Sequence, residues 1–421
     1  MISASKARYG STVATNRPTL STNTPKSPTS RTCPACSASD PALELVALRH
    51  RGAAIFETAR RPVPVRQGYF ELDARHDPAT ETCFRAAAAA LAVQADASEA
   101  DRSAALLQRY YGLNGSLATL SSEVERTVAV DLVDGRRLIL KTSTRPEALD
   151  SFAFQAQAIV GVRGAAGFVA PDVLPTLSGD LMFVDEGICG YLQTRLNGTA
   201  LNQADPTPDL LFRTGTALAR LDLALAPLHL PATDRPLLWH IGCWPRLMEF
   251  VGHLPPGPTA VQVSHSMRDY VETIEPRLGH LCWQVTHNDP SPFNMMVTDQ
   301  GLGFIDFGDG CHSPRIQDLA IAAGHVVTDP ALPLGGAGDL IAGYASVIPL
   351  SGVETSLLVG LMKARQSALI LINHWRAHLF PAEAQYIKKN VARAERGLGI
   401  LTDLDQRSGA IAVEAAISHR P

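Results

Sequence analysis

Two short segments in the last third of the chain carry residue types suited to a metal-assisted reaction at a hydroxyl group. Residues 287–294 read HNDPSPFN, and residues 305–309 read IDFGD. A loop carboxylate such as Asp289 can orient an alcohol and accept its proton. An amide and a second carboxylate, here Asn294 and Asp306, supply the oxygen ligands that Mg²⁺ prefers. The pattern therefore predicts that Asp289 faces an acceptor while Asn294 and Asp306 hold a metal ion.

The residues between the two segments explain how the chain can bring them together. Residues 295–297 and 303–305 are apolar for the most part and flank the polar turn 298–301. This arrangement predicts a short β-hairpin. A hairpin at this point carries Asp289 and Asp306 to the same side.

The order of these residues is the order found in protein and small-molecule kinases: His-x-Asp, four residues, Asn, and then an Asp beside Phe-Gly. The chain has HND where protein kinases have HRD, and 305–320 reads IDFGDGCHSPRIQDLA. In these features it resembles the aminoglycoside phosphotransferase and choline kinase superfamily, and within it the hydroxylysine kinase branch most. Supporting matches to that branch are YGLNG at 111–115, Ser122-Glu123, Gly343-Tyr344, Pro349-Leu350, and a long helix with Arg365 and Trp375-Arg376. The resemblance covers roughly residues 100–405.

The resemblance implies transfer of the γ-phosphoryl group of a nucleoside triphosphate to an alcohol. Asp289 then orients the hydroxyl, and Asn294 and Asp306 hold Mg²⁺. Lys141, which ends the second strand of a predicted hairpin, contacts the nucleotide phosphates, and Ser122 lies on the loop that covers them.

The acceptor that the resemblance favours is an amino alcohol or hydroxy-amino acid, with 5-hydroxy-L-lysine first and GTP as the donor. ATP as donor, and homoserine, choline or an aminoglycoside as acceptor, are alternatives of the same class. An alternative of a different class is a catalytically silent pseudokinase that serves as a binding module. The presence of the full set argues against it: Lys141, Asp289, Asn294 and Asp306.

Further polar residues are assigned by their positions near this motif. We expect His287 and Asp318 to support the loop rather than to react, because Asp289 already has the acceptor role. Asp309 is a candidate for the metal or for the substrate amine. Arg365 and Arg376, eleven residues apart on one predicted helix, are candidates for a substrate carboxylate.

Two positions leave the details of binding open. The helix position where relatives often carry Glu or Gln has Gln155 here, so the acid partner of Lys141 is not identified. Trp239-His240 stands where relatives typically show Trp-Asp, which leaves the exact acceptor open.

The predicted elements describe an α+β, bilobal, protein-kinase-like fold. Its small lobe has two hairpins, 127–141 around Asp134-Gly135 and 181–196 around Asp185-Glu186-Gly187, with a helix between them from near Pro146. A helix over 104–111 precedes them. After Gly198 the pattern predicts helices over 208–226, 264–280, 315–327, 335–347, 353–378 and 382–403.

Domain boundaries follow from these elements and from composition. Residues 1–45 are rich in Ser, Thr and Pro with no acid before Asp40, which indicates a disordered tail or a targeting segment. Cys33 and Cys36 lack the second ligand pair that a zinc site needs. Residues 46–99 are an unassigned extension, in which the alanine run 86–92 favours a helix. Residues 100–198 are the small lobe, 199–405 the helical large lobe, and 406–421 a C-terminal tail.

Composition fits a soluble enzyme. The 421 residues carry a formal net charge of −4, which predicts neither nucleic acid nor an anionic membrane as a partner. No apolar run approaches the ~18 residues that span a bilayer. Seven scattered cysteines favour a reducing compartment over a disulfide framework. We therefore expect a cytoplasmic protein with no obligate protein partner, or a mitochondrial one if residues 1–45 act as a transit peptide.

Overall fold

An antiparallel sheet with its helices precedes a larger helical region along the chain. The computed structural model describes residues 78–93, 102–120, 122 and 124–418. The predictions for residues 1–45, including those for Cys33 and Cys36, lie outside the described residues. Within the described ranges the α+β class is confirmed, with a small antiparallel lobe and a larger helical lobe.

The small lobe is built on one six-stranded sheet. The elements up to its end are α1 (Pro78–Leu91), α2 (Ser103–Tyr111), β1 (Gly115–Leu120), β2 (Arg126–Leu132), β3 (Arg137–Ser143), α3 (Ala148–Gly161), β4 (Val173–Leu174), β5 (Phe183–Asp185) and β6 (Ile188–Thr194). The strand order is β1-β2-β3-β6-β4, with β5 paired to β6. Both predicted hairpins are present. In the second, Glu186 and Gly187 both have positive φ, as a two-residue turn between twisted strands requires.

Two details of the sheet differ from the prediction. β1, which pairs with β2 along its whole length, was not predicted. Its side chains are almost all exposed, so it lacks the alternation of polar and apolar residues that reveals a strand. Lys141 lies inside β3 rather than at its end, because β3 continues to Ser143, and it pairs with Thr127 on one side and Tyr191 on the other.

The large lobe is mostly helical, with short strands at the loops that carry the polar motif. Its elements are β7 (Thr199–Ala200), α4 (Pro208–Leu225), α5 (Pro258–Asp269), β8 (Trp283–Thr286), β9 (Met295–Thr298), β10 (Gly301–Phe304), β11 (Cys311–Pro314), α6 (Ile316–His325), α7 (Gly338–Ala345), α8 (Gly352–Leu379), α9 (Ala384–Ile387), α10 (Val391–Leu401) and α11 (Gln406–Ser418). The antiparallel β9–β10 hairpin is the one predicted between the two motif segments. A 3₁₀ run, Ile241–His253, was not predicted.

Helices α4 and α7 cross at very short distance because each has a glycine at the crossing. A Cβ on Gly215 would lie 1.9 Å from the carbonyl oxygen of Leu340, and a Cβ on Gly343 would lie 2.0 Å from that of Phe212. Any side chain at either position would force the helices apart. This close packing brings Tyr344 of α7 against α4, where its hydroxyl donates to Asp222 Oδ2 at 2.5 Å.

Helix α8 is the central element of the large lobe. Ser351 and Glu354 form a capping box at its start, and Arg315 clamps Glu354 with two hydrogen bonds of 2.8 and 3.0 Å. By length and composition α8 could cross a membrane, contrary to the expectation that no run is long enough. However, 89% of its most apolar stretch is buried in the protein, as in a core helix.

Three segments differ from their predictions in extent or type. The helix predicted from the alanine run 86–92 is present but begins earlier, as α1, whose Phe84 is fully buried and packs on Phe250. The single helix predicted over 382–403 is broken at Lys388–Asn390, since only Ile387 is buried in the preceding turns and no apolar stripe supports a continuous helix. Residues 406–418, expected as a tail, form α11, which buries Val413.

Candidate active site

The 287–294 loop follows β8, and the carboxylate of Asp318 anchors its first two residues. Asp318, in the first turn of α6, accepts the backbone N–H of His287 on Oδ2 at 2.8 Å and that of Asn288 on Oδ1 at 2.7 Å. Asn288 has φ +59, a conformation that asparagine tolerates better than most residues. The two backbone bonds secure this strained turn and direct the next residue, Asp289, outward. The structure thus places Asp318 where the sequence analysis expected a brace.

A second buried carboxyl group lies beneath Asp318. Burial and the adjacent Asp318 charge hold the pKa of Asp222 well above its ordinary value, so Asp222 is protonated. Protonated Asp222 donates to the Asp318 carboxylate, and Tyr344 donates to Asp222. The proton keeps two fully buried carboxyl groups from repelling each other. Sequence analysis missed Asp222, because it lies on α4, 65 residues before the motif begins at His287.

His287 keeps the loop in shape rather than exchanging protons. Its Nε2 lies 3.1 Å from the Ile305 carbonyl oxygen, and its Nδ1 lies 3.4 Å from the backbone nitrogen of Asp289. The only tautomer that satisfies both carries its proton on Nε2. Burial lowers the pKa of the ring below its ordinary value, so His287 is neutral and ties the two motif segments together.

Asp289 lies between an amide and a guanidinium. Its Oδ2 accepts Asn294 Nδ2 at 2.7 Å, and its Oδ1 accepts Arg365 Nη2 at 3.1 Å. Arg365 stacks over the Trp239 ring with 4.7 Å to the centroid. The two contacts fix the carboxylate plane, which is what a group that must receive a hydroxyl proton in one direction requires.

Lys141 is buried and surrounded by three acceptors. Its Nζ donates to Asp306 Oδ1 at 2.9 Å and to Gln155 Oε1 at 3.1 Å, and it forms an ion pair with Glu125. Burial alone would lower the pKa of Lys141, but the Asp306 and Glu125 carboxylates hold it well above its ordinary value. All three protons of the ammonium are therefore engaged.

The acid partner of Lys141 comes from a loop and not from helix α3. Gln155 of α3 is fully buried and is fixed by Tyr191, whose hydroxyl donates to its Oε1 at 2.9 Å. The charge is supplied by Glu125, which ends the loop between β1 and β2 and has a 13% exposed side chain. Ser122, on the same loop, is exposed and contacts none of these groups within the described residues. Glu125 could have been found from the sequence, because it lies two residues before Thr127, the residue that pairs with Lys141 in the sheet.

The residues around Asp306 fit a magnesium ion bound together with nucleotide phosphates. Asp306 has φ +63, its side chain is 49% exposed, and the adjacent Lys141 charge holds its pKa below the ordinary value. Asn294 adds an amide oxygen. Among the described residues no three Asp, Glu, His or Cys side chains form a chelating cluster by themselves. Magnesium commonly binds in this way, through one or two protein oxygens, with phosphate and water completing its shell.

Asp309 shows that this region has an excess of negative charge. Burial, and then the charges of Asp289 and Asp306, raise the pKa of Asp309 to about 7, although Arg365 and Arg235 oppose the shift. A cation bound near these three carboxyl groups would reduce their mutual repulsion and lower the pKa of Asp309. The structure therefore brings Asp309 to the predicted site without distinguishing a metal ion from a substrate ammonium.

Arg365 and Arg376, the two candidates for a substrate carboxylate, lie far apart on α8. Arg376 lies eleven residues beyond Arg365 on α8, about 16 Å along the helix axis, so the two cannot share one carboxylate. Of these two candidates for a substrate carboxylate, Arg365 is the one that contacts Asp289. His240 caps the 3₁₀ run: its Nδ1 accepts the Gly242 N–H at 3.0 Å, and its Nε2 lies 3.0 Å from the His312 carbonyl oxygen.

Comparison with known proteins agrees with this geometry. The model of the phosphotransferase enzyme family matches residues 116–350. Hydroxylysine kinase of Danio rerio is 26% identical over 71% of this chain and 90% of its own length, and that of Mus musculus is 26% identical over 64% and 76%.

Solved structures show the same fold at low sequence identity. An amicoumacin kinase in complex with AMP-PNP and Ca²⁺ superimposes with a TM-score of 0.56 at 14% identity, covering 73% of this chain and 97% of its own. A choline/ethanolamine kinase family protein from Mesorhizobium loti gives 0.52 at 15% identity over 74% and 98%. These likenesses confirm the kinase-like fold. The chain belongs to the phosphotransferase enzyme family and is a kinase that acts on an alcohol group.

Proposed function

We propose that the protein transfers the γ-phosphoryl group of a nucleoside triphosphate to the hydroxyl group of 5-hydroxy-L-lysine. The observation that carries this proposal is the double contact of Asp289, with Asn294 on one side and the buried Arg365 on the other. It places a proton acceptor beside a group suited to a carboxylate, and hydroxylysine has both a hydroxyl and a carboxylate. The similarity to hydroxylysine kinases supports the same acceptor.

The residues divide the reaction between two sides of the site. On the acceptor side, Asp289 accepts a hydrogen bond from the substrate hydroxyl and takes its proton as the oxygen attacks phosphorus. On the donor side, Lys141 donates to the nucleotide phosphates and spreads their charge in the transition state. Asn294 and Asp306 would hold Mg²⁺, which supplies charge neutralisation at the β- and γ-phosphate oxygens.

The arrival of a nucleotide requires one of the three acceptors on Lys141 to leave. Gln155 is fully buried and fixed by Tyr191, so it stays. Asp306 is half exposed and has a metal ion to bind instead. We infer that Asp306 leaves Lys141, that the freed N–H donates to phosphate, and that Glu125 remains as the buried counter-ion. Glu125 is thus a positioning residue for Lys141.

The donor we propose first is GTP, as the resemblance to hydroxylysine kinases implies, with ATP as the alternative. The amicoumacin kinase of the same fold was solved with AMP-PNP and Ca²⁺, which supports a nucleoside triphosphate and a divalent cation in general. The test is release of GDP or ADP over a panel of 5-hydroxylysine, homoserine, choline and an aminoglycoside, with Asp289→Asn as the background. Preference for choline or the aminoglycoside would refute hydroxylysine as the acceptor.

We further propose that residues 100–405 are the catalytic unit, that residues 1–45 are dispensable for it, and that the protein is cytoplasmic. The composition of residues 1–45, poor in large apolar side chains, supports this separation. Deletion of residues 1–45 should leave phosphoryl transfer unchanged. A fluorescent fusion of the full chain should be diffuse in the cytoplasm, whereas import into mitochondria would identify these residues as a transit peptide.

A further inference from the structure

Arg365 has donors that no neighbouring residue uses. One of its nitrogens, Nη2, donates to Asp289, but Nε and Nη1 are buried without a hydrogen-bond partner among the described residues. The residue is only 4% exposed, so these N–H groups do not reach bulk water either. A buried donor without an acceptor is costly, and a guanidinium that keeps two of them is suited to an acceptor that arrives from outside.

A second arginine, not singled out from the sequence, lies close enough to Arg365 for their charges to interact. Arg393 of α10 donates from Nη1 to the His325 carbonyl oxygen at 3.3 Å, which satisfies the last turn of α6. Its Nη2 is buried and has no partner within the described part of the chain. Burial, and then repulsion by Arg365, lower the pKa of Arg393 to about 10, while Asp289 opposes the shift. The charge of Arg393 therefore interacts with the charges of both Arg365 and Asp289.

His325 does not neutralise the two arginines. Burial and the charges of Arg393 and Arg365 hold the pKa of its ring well below the ordinary value, so the ring is neutral. Asp289 is an anionic neighbour of both arginines, and in the proposed reaction it must turn to the substrate hydroxyl. Asp309 is a further acidic neighbour of Arg365, so it is the unpartnered N–H groups of the two arginines, and not a surplus of positive charge, that are suited to an anionic acceptor.

We propose that Arg365 and Arg393 together form the binding subsite for the α-carboxylate of the acceptor. This inference rests on the proposed function and restricts it: the enzyme selects hydroxy-amino acids and discriminates against amino alcohols that lack a carboxylate. Arg365 offers the N–H groups of Nε and Nη1, which lie on different edges of its guanidinium, and Arg393 adds Nη2, so the carboxylate accepts a charge-assisted hydrogen bond from each arginine. Because Arg365 also donates to Asp289, the guanidinium of Arg365 would lie between the bound carboxylate and Asp289, on the acceptor side of the site.

The test compares 5-hydroxylysine with its decarboxylated diamine as acceptors for wild-type enzyme and two variants. Arg393→Gln removes a donor without disturbing the Arg365–Asp289 pair. Arg396→Gln is the matched control, because it removes the same charge from an exposed position one turn along α10. We expect Arg393→Gln to raise KM for hydroxylysine by about 10- to 100-fold, the effect of one charged hydrogen bond, and to leave kcat unchanged. KM for the diamine should change by less than about twofold, and Arg396→Gln should change neither value.

Several outcomes would overturn the subsite. One is an equal rise of KM for both acceptors in Arg393→Gln, and another is a wild-type enzyme with the same KM for both. If Arg393→Gln does not fold, Arg393→Lys decides instead: it keeps the charge but lacks the Nη2 donor, and an unchanged KM for hydroxylysine would refute the hydrogen bond from Nη2 to the carboxylate. A wild-type enzyme that phosphorylates neither acceptor would refute the proposed function itself, and the subsite with it.

Discussion

Asp309 should make the stability of the ligand-free protein fall as the pH rises, and Asp309→Asn should remove this dependence. The folded protein holds the pKa of Asp309 at about 7, against an ordinary value of 3.8. Between these values the folded state binds the proton more tightly than the unfolded state. The stabilising contribution is therefore complete below about pH 4 and is lost as the pH rises through about 7. A shift of about 3 units corresponds to an upper limit of about 4 kcal/mol, and partial exposure should reduce it to about 2 kcal/mol.

The assay is urea unfolding in EDTA at several pH values between about 4 and about 8.5, for wild type and Asp309→Asn. Because asparagine resembles the protonated carboxyl, the two proteins should be similar at low pH, and the variant should become more stable by about 2 kcal/mol at high pH. Asp299→Asn, which removes a carboxylate from the exposed β9–β10 turn, is the matched control and should show no such divergence. A difference between Asp309→Asn and wild type that does not vary with pH would refute the reasoning.

Three further predictions follow from the contacts of the site. Asp289→Asn should keep nucleotide binding but lower kcat by roughly two to four powers of ten, the usual effect of losing a positioned base; near-normal turnover would contradict the assignment. Glu125→Gln should raise KM for the nucleotide about tenfold and leave KM for the acceptor unchanged, because Lys141 loses its buried counter-ion; tighter nucleotide binding would show instead that Glu125 occupies the place of the phosphates. Asp222→Asn should retain wild-type stability in thermal unfolding, since an amide still donates to Asp318, whereas Asp222→Leu should cost about 2–4 kcal/mol; equal losses would argue against a protonated Asp222.

The fold and half of the site could be predicted because their signals are local. Alternating apolar residues and turn residues predicted the hairpins, and the spacing of Asp289, Asn294 and Asp306 predicted that a hairpin brings them together. β1 escaped prediction because both its faces are exposed, and α11 because its 13 residues bury only Gly409 and Val413. The break between α9 and α10 was not predicted, because residues 388–390 have ordinary helical propensity and only their lack of burial marks the break.

The sequence by itself determined the chemistry, since residue types at fixed spacing within one loop and one hairpin keep their relation wherever that unit is placed. Only the tertiary structure decided which distant residues complete the site. Glu125 reaches Lys141 across the β-ladder, Asp222 reaches Asp318 from α4, and Arg393 joins Arg365 where α10 packs on α8. No local pattern encodes these pairs, because each depends on how helices and strands far apart in the chain pack, and packing is set by the whole buried core rather than by any one segment.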